Sequence, residues 1–118
     1  MYNTLGFGFL EKVYENILLA EIVSRGTAAA AQCPISVLYG KRLARESFAD
    51  ILVENAVIIE VKAVKNLAHE HEAQLLNYLK ATEIEVGLLL NFGPQTQIKR
   101  RSFENERKGL RPVVLAAD

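Results

Sequence analysis

Hydrophobic positions recur along this chain with two different periods. Phe9, Leu10, Val13, Tyr14, Ile17, Leu18 and Val23 return at helical spacing, and Ser24-Arg25-Gly26 supplies a stop. That pattern predicts a first helix, with Gly6 and Gly8 freeing the backbone just ahead of it. Residues 27–32 contain four consecutive alanines between Gly26 and Pro34. Alanine favours a helix but both flanks end one, so a weak strand or an exposed connection is expected there. Ile35-Ser36-Val37-Leu38-Tyr39 alternates as a strand does, Gly40-Lys41 turns it, and residues 43–53 return. A tight turn at Glu54-Asn55-Ala56 then leads into residues 57–62, completing a three-stranded meander over 34–62. Helical spacing comes back over 68–81, with Leu75, Leu76 and Leu79 as its apolar stripe. Val86-Gly87-Leu88-Leu89-Leu90-Asn91, closed by Gly93-Pro94, suits a strand covered on both faces. Residues 98–103 add an edge strand.

The order helix, three strands, helix, two strands predicts an α/β (α+β) fold, a mixed central sheet flanked by helices. One domain is expected over residues 1–103, with residues 104–118 a loosely ordered tail. The chain of 118 residues, half of them hydrophobic, is long enough for a core without disulfides. Its 14 basic residues balance its 14 acidic ones, so overall charge gives no sign of a polyanionic partner. Only local basic groups remain: Lys99-Arg100-Arg101, and Lys41, Arg42 and Arg45. They read either as a solvated rim or as a track for a phosphate backbone. The lone Cys33 excludes an internal disulfide, and there is no apolar run of about 18 residues. No signal-peptide pattern opens the chain, so a cytoplasmic protein without membrane contact is expected.

Two weak motifs can be set aside. Gly6-Phe7-Gly8 has no strand before it and no third glycine, so it is not a dinucleotide loop. His69 and His71 are two apart, which on a helix turns them away from one another and argues against zinc.

The chemistry lies in charges that interrupt apolar strands. If the hairpin centres on Asn55, residues whose numbers sum to 110 face each other, so Asp50 opposes Glu60. Strand alternation then puts Asp50, Glu60 and Lys62 on one face. Two carboxylates directly opposed repel, and a cation between them turns repulsion into ligation. Mg²⁺ is commonly held by one or two carboxylates with water and phosphate oxygens completing its shell. Lys62 beside it could orient or deprotonate an attacking water, or steady charge on phosphoryl oxygens. A two-residue turn would instead put Asp50 opposite Ile59 and on the other face. On the second helix, Gln74 and Tyr78 are four apart and share a face, with His71 one turn earlier. On the first, Glu11 shares a face with Tyr14 and Leu18.

Several blocks resemble one known family. Gly8-Phe9-Leu10-Glu11-Lys12-Val13-Tyr14 is similar to the G-x-x-E-x-x-Y signature of the GxxExxY proteins, which resemble the PD-(D/E)xK nuclease superfamily. Gln32-Cys33-Pro34-Ile35 matches a Q-x-P-I block, and Asp50 with Glu60-Val61-Lys62 matches the D…E-x-K core. His71-Glu72-Ala73-Gln74-Leu75-Leu76-Asn77-Tyr78-Leu79-Lys80 matches the family's second helix, and Asn91-Phe92-Gly93 its N-F-G block. An isolated E-x-K is common by chance; five blocks in order over residues 2–101 are not. The resemblance implies a restriction-endonuclease-like core in which Asp50 and Glu60 ligate a divalent metal and Lys62 serves the attacking water. It also implies that Glu11 is a supporting acid of the site. Gln74 and Tyr78 match the Q-x-x-x-Y element that RecB-like relatives place beside active site and DNA, and Tyr14 is a further supporting residue. Relatives usually carry another helix before the glycine block, so a shortened form is implied.

The function expected is a Mg²⁺- or Mn²⁺-dependent phosphodiesterase acting on nucleic acid, DNA foremost. The alternatives are a non-catalytic nucleic-acid-binding or assembly module that keeps the fold, and an enzyme acting on another phosphorylated substrate. The sequence is compatible with a homo-oligomer.

Overall fold

A computed structural model describes the backbone of residues 4–39 and 42–108, with the side chains of residues 10–36 and 46–108. The elements, in order, are α1 (Thr4–Ser24), β1 (Ala29–Tyr39), β2 (Arg42–Val53), β3 (Val57–Lys62), α2 (His69–Lys80), β4 (Val86–Phe92) and β5 (Thr96–Ser102), with a 3₁₀ turn at Asn105–Arg107. The five strands form one sheet in sequence order. All neighbours are antiparallel except β3 and β4, which are parallel and joined through α2. This is a mixed α+β sheet of the expected type.

The first helix differs from the pattern-based expectation at its start. It begins at Thr4 and takes Gly6 and Gly8 inside it. A glycine within a helix costs about 1 kcal/mol relative to alanine, too little by itself to set the boundary. Its end follows the expected signal. Gly26 adopts φ +85, Gly26 N–H donates to the Val23 carbonyl and Thr27 N–H to that of Ile22. This is the paired C-terminal closure that glycine favours because it carries no β-carbon. The alanine run becomes strand, since Ala29, Ala30 and Ala31 pair with Val53, Leu52 and Ile51. Tertiary pairing overrides alanine's helical preference.

Two apolar layers cover the sheet. On one face Leu75, Tyr78 and Leu79 of α2 pack with Cys33, Ile35, Ala49, Leu52, Ile58 and Leu89. On the other, Ile51, Ile59 and Val61 pack with Tyr14, Leu18, Leu19 and Ile22 of α1 and with Leu88, Leu90 and Phe92. Strand β4 therefore divides its side chains between both layers, as an all-apolar run requires. Glu70 and Glu72 occupy the first turn of α2 and Lys80 its last, matching the helix dipole. His71 Nδ1 accepts the Ala68 N–H at 3.0 Å, so this histidine caps the helix. Beyond β5, Lys80 and Arg107 lie over the Phe103 ring, and Lys108 Nζ donates to the Thr82 and Ile84 carbonyls. The Gly40-Lys41 turn, the side chains of Arg42 and Arg45, and residues 109–118 lie outside the described residues.

The end of β4 fixes the loop that leaves β3. Asn91 is fully buried and stands opposite Lys62. Its Oδ1 accepts the Val64 and Gly93 N–H groups, while its Nδ2 donates to the Val64 carbonyl and to Gln97 Oε1. A β-carbon at Gly93 would run into the Val64 carbonyl, so only glycine fits there. Tyr14 stacks on Phe92, ring centroids 4.7 Å apart, and so seats α1 on the same strand end. Asn91→Ala removes the acceptor for the buried Gly93 N–H and the half-buried Val64 N–H. At about 1–3 kcal/mol for each unsatisfied group, we expect urea denaturation to show a loss of roughly 2–4 kcal/mol, against less than about 0.5 for the exposed Ile98→Thr.

Candidate active site

The strand pair β2–β3 is short. Its ladder joins Ile51, Leu52 and Val53 to Ile59, Ile58 and Val57, the sum-of-110 register expected for a hairpin centred on Asn55. Glu54 and Asn55 both take left-handed φ values of 55 and 53, and Ala56 N–H donates to the Val53 carbonyl. This is a type I′ turn, whose twist suits a hairpin, followed by the extra residue Ala56. Glu54 fastens it: its N–H donates to the Ala28 carbonyl, and its side chain accepts the Ala28 N–H.

Beyond Ile51 and Ile59 the two strands separate. β2 continues paired to β1, whereas β3 continues paired to β4 through Lys62. Asp50 and Glu60 stand at the opening of this fork. The Asp50 N–H donates to Glu60 Oε2 at 2.9 Å, and the Val61 N–H donates to Asp50 Oδ2 at 2.8 Å. Each carboxylate thus replaces the ladder partner that the other strand has lost. The buried backbone groups are satisfied by the acids that would carry the chemistry.

Burial and mutual repulsion disfavour charge here. Glu60 is 3% exposed. Its carboxyl is pushed up to about 8, first by burial and then by the Asp50 charge, against the lowering effects of the Asp50 N–H and Lys62. Asp50 is also raised, first by burial and next by the Glu15 charge, with the Val61 N–H and Lys62 pulling the other way. At neutral pH the pair therefore retains a proton. Lys62 is near enough for both acids to feel its charge.

The first helix contributes more than its sequence signature suggests. Glu11 Oε2 accepts the Ala63 N–H at 3.4 Å, just past Lys62, and its charge reaches Asp50. One turn later Glu15 is 4% exposed and acts on both Asp50 and Glu60. Sequence reasoning passed over Glu15, although four-residue spacing from Glu11 puts both on one helix face. Gln32, the first residue of the Q-x-P-I block, carries no such signal of its own. Its Nε2 donates to Glu15 Oε2 at 3.0 Å. Tyr14 lies in the α1-side core against Phe92 and acts by seating the helix. Gln74 Nε2 donates to Tyr78 Oη at 3.1 Å, with Tyr78 buried in the α2-side core.

The donor set fits a small divalent cation. Among the described residues, Asp50 Oδ2 and Glu60 Oε2 accept backbone N–H groups while Oδ1 and Oε1 accept none. No described buried side-chain oxygen lacks a partner, so these two oxygens reach solvent. No three acidic, histidine or cysteine side chains among the described residues come together as a full ligand set. Two carboxylates with water and substrate oxygens are what Mg²⁺ ordinarily takes, whereas a closed zinc site would need more.

The family model for the PD-(D/E)XK nuclease superfamily matches residues 1–101. The chain belongs to that superfamily. No curated protein matches it. Among solved structures, the crystal structure of SSO0001 is similar in fold, with a TM-score of 0.59 at 17% identity. That match covers 82% of this chain and 52% of the other, so the chain spans about half of that structure's length. No described helix is long and apolar enough to cross a membrane.

The buried pair makes stability depend on pH. Glu60 titrates at 4.5 in its ordinary state and at about 8 in the fold. The folded chain therefore binds more protons between those values, and the associated stability, complete below 4.5, is lost as pH rises through about 8. Thermal melts of the cation-free protein should show Tm falling over this range. Glu60→Gln keeps an oxygen for the Asp50 N–H but cannot ionise, so its Tm should be nearly flat there and above wild type at the alkaline end. A wild-type Tm independent of pH would contradict this account.

Proposed function

We propose that this chain is a metal-dependent nuclease that hydrolyses phosphodiester bonds, with DNA as its preferred substrate, and that it belongs within the GxxExxY group. The carrying observation is the fork between β2 and β3, where Asp50 and Glu60 each secure one oxygen to the opposite backbone and present the other to solvent. Asp50 and Glu60 would hold Mg²⁺ or Mn²⁺, which when bound supplies positive charge to the scissile phosphate and lowers the pKa of water.

The protein's own residues do the remaining work. Fixed backbone contacts hold both carboxylates before substrate arrives, so little reorganisation is needed on binding. Lys62 lies one strand alternation beyond Glu60 and acts on the same pair. It offsets charge on the phosphoryl oxygens and orients the attacking water. Glu11, joined to Ala63 at the end of β3, holds α1 against the site. Gln74 and Tyr78 support the nucleic acid from α2, and Tyr14 supports the site by anchoring α1. The single buried Cys33 suits the reducing, cytoplasmic setting that we propose.

Incubating the pure chain with labelled single- and double-stranded DNA and RNA tests this reading. Cleavage should need Mg²⁺ or Mn²⁺, stop with EDTA, and fall roughly 100-fold or more in Asp50→Ala and in Lys62→Met. Metal-independent cleavage would overturn it. So would salt-dependent binding without turnover that survives Asp50→Ala, the behaviour of a non-catalytic binding module. A second expectation concerns the metal alone: at pH near 8, millimolar Mn²⁺ should raise the Tm of wild type and leave that of Asp50→Asn unchanged.

A further inference from the structure

Glu15 and Gln32 have no assigned part in the site, yet both are placed at a cost. Glu15 is a carboxylate 4% exposed on the inner face of α1, which it shares with Glu11 and with the apolar Tyr14, Leu18, Leu19 and Ile22. Burying an acid is unfavourable unless it is well paired. Its described partners are the neutral amide of Gln32 at 3.0 Å and the exposed Lys12 ammonium at 3.4 Å, both on Oε2. Among the described residues its Oε1 accepts no hydrogen bond, and it is not sealed from solvent. A leucine at this position would suit packing better than a half-paired acid.

Gln32 is unusual in backbone as well as side chain. Its φ of 55 is in the left-handed region, which non-glycine residues adopt at a cost. It falls between the ladder pairs Ala31–Ile51 and Cys33–Ala49, so it stands opposite Asp50. Facing also changes there. Ala30 and Leu52 pack toward α2, and so do Cys33, three residues after Ala30, and Ala49, three before Leu52. In an unbroken strand, positions three apart would face opposite sides. The irregularity turns the Gln32 amide toward α1, where it meets Glu15.

We infer that Glu15 is a positioning carboxylate of the cation centre, supplied by α1 and set in place by Gln32. Its charge acts on both Asp50 and Glu60. Held by Gln32, which stands opposite Asp50 on the neighbouring strand, it adds a buried carboxylate beside the pair. Lys12, largely solvated, offsets little of that charge. Carboxylates and amides that orient a metal's ligands commonly change metal affinity 10- to 100-fold when removed. The inference rests on reading Asp50 and Glu60 as the cation-holding pair.

Mn²⁺ affinity, measured by calorimetry on the full chain at pH near 8, tests it together with thermal melts. Glu15→Gln should bind Mn²⁺ about 10-fold or more weakly than wild type. Gln32→Gly is the discriminating variant. Glycine accepts the left-handed backbone without strain, so any fall in its Tm reports only the partner that Glu15 has lost, and Mn²⁺ affinity measured well below the melt should fall as in Glu15→Gln. Glu15→Asp, which keeps the charge but shortens the reach, should lie between Glu15→Gln and wild type. Unchanged Mn²⁺ affinity in Glu15→Gln and Gln32→Gly, with binding abolished in Asp50→Asn, would overturn the role of Glu15 and leave the centre standing. Failure of wild type itself to bind Mn²⁺ would overturn the cation centre and this inference with it.

Discussion

The reciprocal exchange between Asp50 and Glu60 governs the rest of the structure. Where β2 leaves β3, two backbone N–H groups lose the carbonyls that a continuous ladder would offer. Each is met instead by a carboxylate from the opposite strand. The fork could not open at this point with apolar residues in those places, because buried N–H groups would be left unsatisfied. Conversely, two acids could not be held face to face without those N–H donors and Lys62 to offset their repulsion. Opening the sheet and building the site are thus one event.

Everything else near the fork keeps this arrangement from relaxing. Asn91 ties the loop after Lys62 to β4 through both ends of its amide, and Gly93 leaves room for the Val64 carbonyl. Phe92, between them, carries the Tyr14 ring and with it the helix bearing Glu11 and Glu15. The N-F-G and G-x-x-E-x-x-Y blocks, far apart in sequence, are therefore two halves of one contact. Neither block needs to touch substrate to matter. Together they set the distance between the acids of α1 and the end of β3.

The electrostatic balance follows from the same geometry. The charges of Glu11 and Glu15 reach Asp50, that of Glu15 reaches Glu60 as well, and Lys62 is a cation that both members of the central pair feel. Without a further positive charge the pair keeps a proton, at a cost in burial that the fold absorbs elsewhere in its two apolar layers. Stability surrendered at such a place is a common feature of functional sites. On β5 the arrangement is looser: Lys99 and Arg100 are exposed, while Arg101 is paired with Glu72 of α2.

Much of this was determined locally. Periodic apolar residues, Gly26 at the end of α1, and the Glu54-Asn55 turn dictate the elements and their order, because helix faces, strand alternation and turn chemistry depend on neighbouring residues. Hairpin register is local too, since the turn sets it, and that register placed Asp50 against Glu60. The alanine run and the helical start at Thr4 were less legible, since their own preferences are weak and the surrounding fold decided them. The contribution of Glu15 was hidden for a related reason. In sequence it is one more acid on a helix; only the packing of Tyr14 on Phe92 and the reversed facing at Gln32 bring it to the centre. Those contacts join residues tens of positions apart, and tertiary structure alone could bring them together.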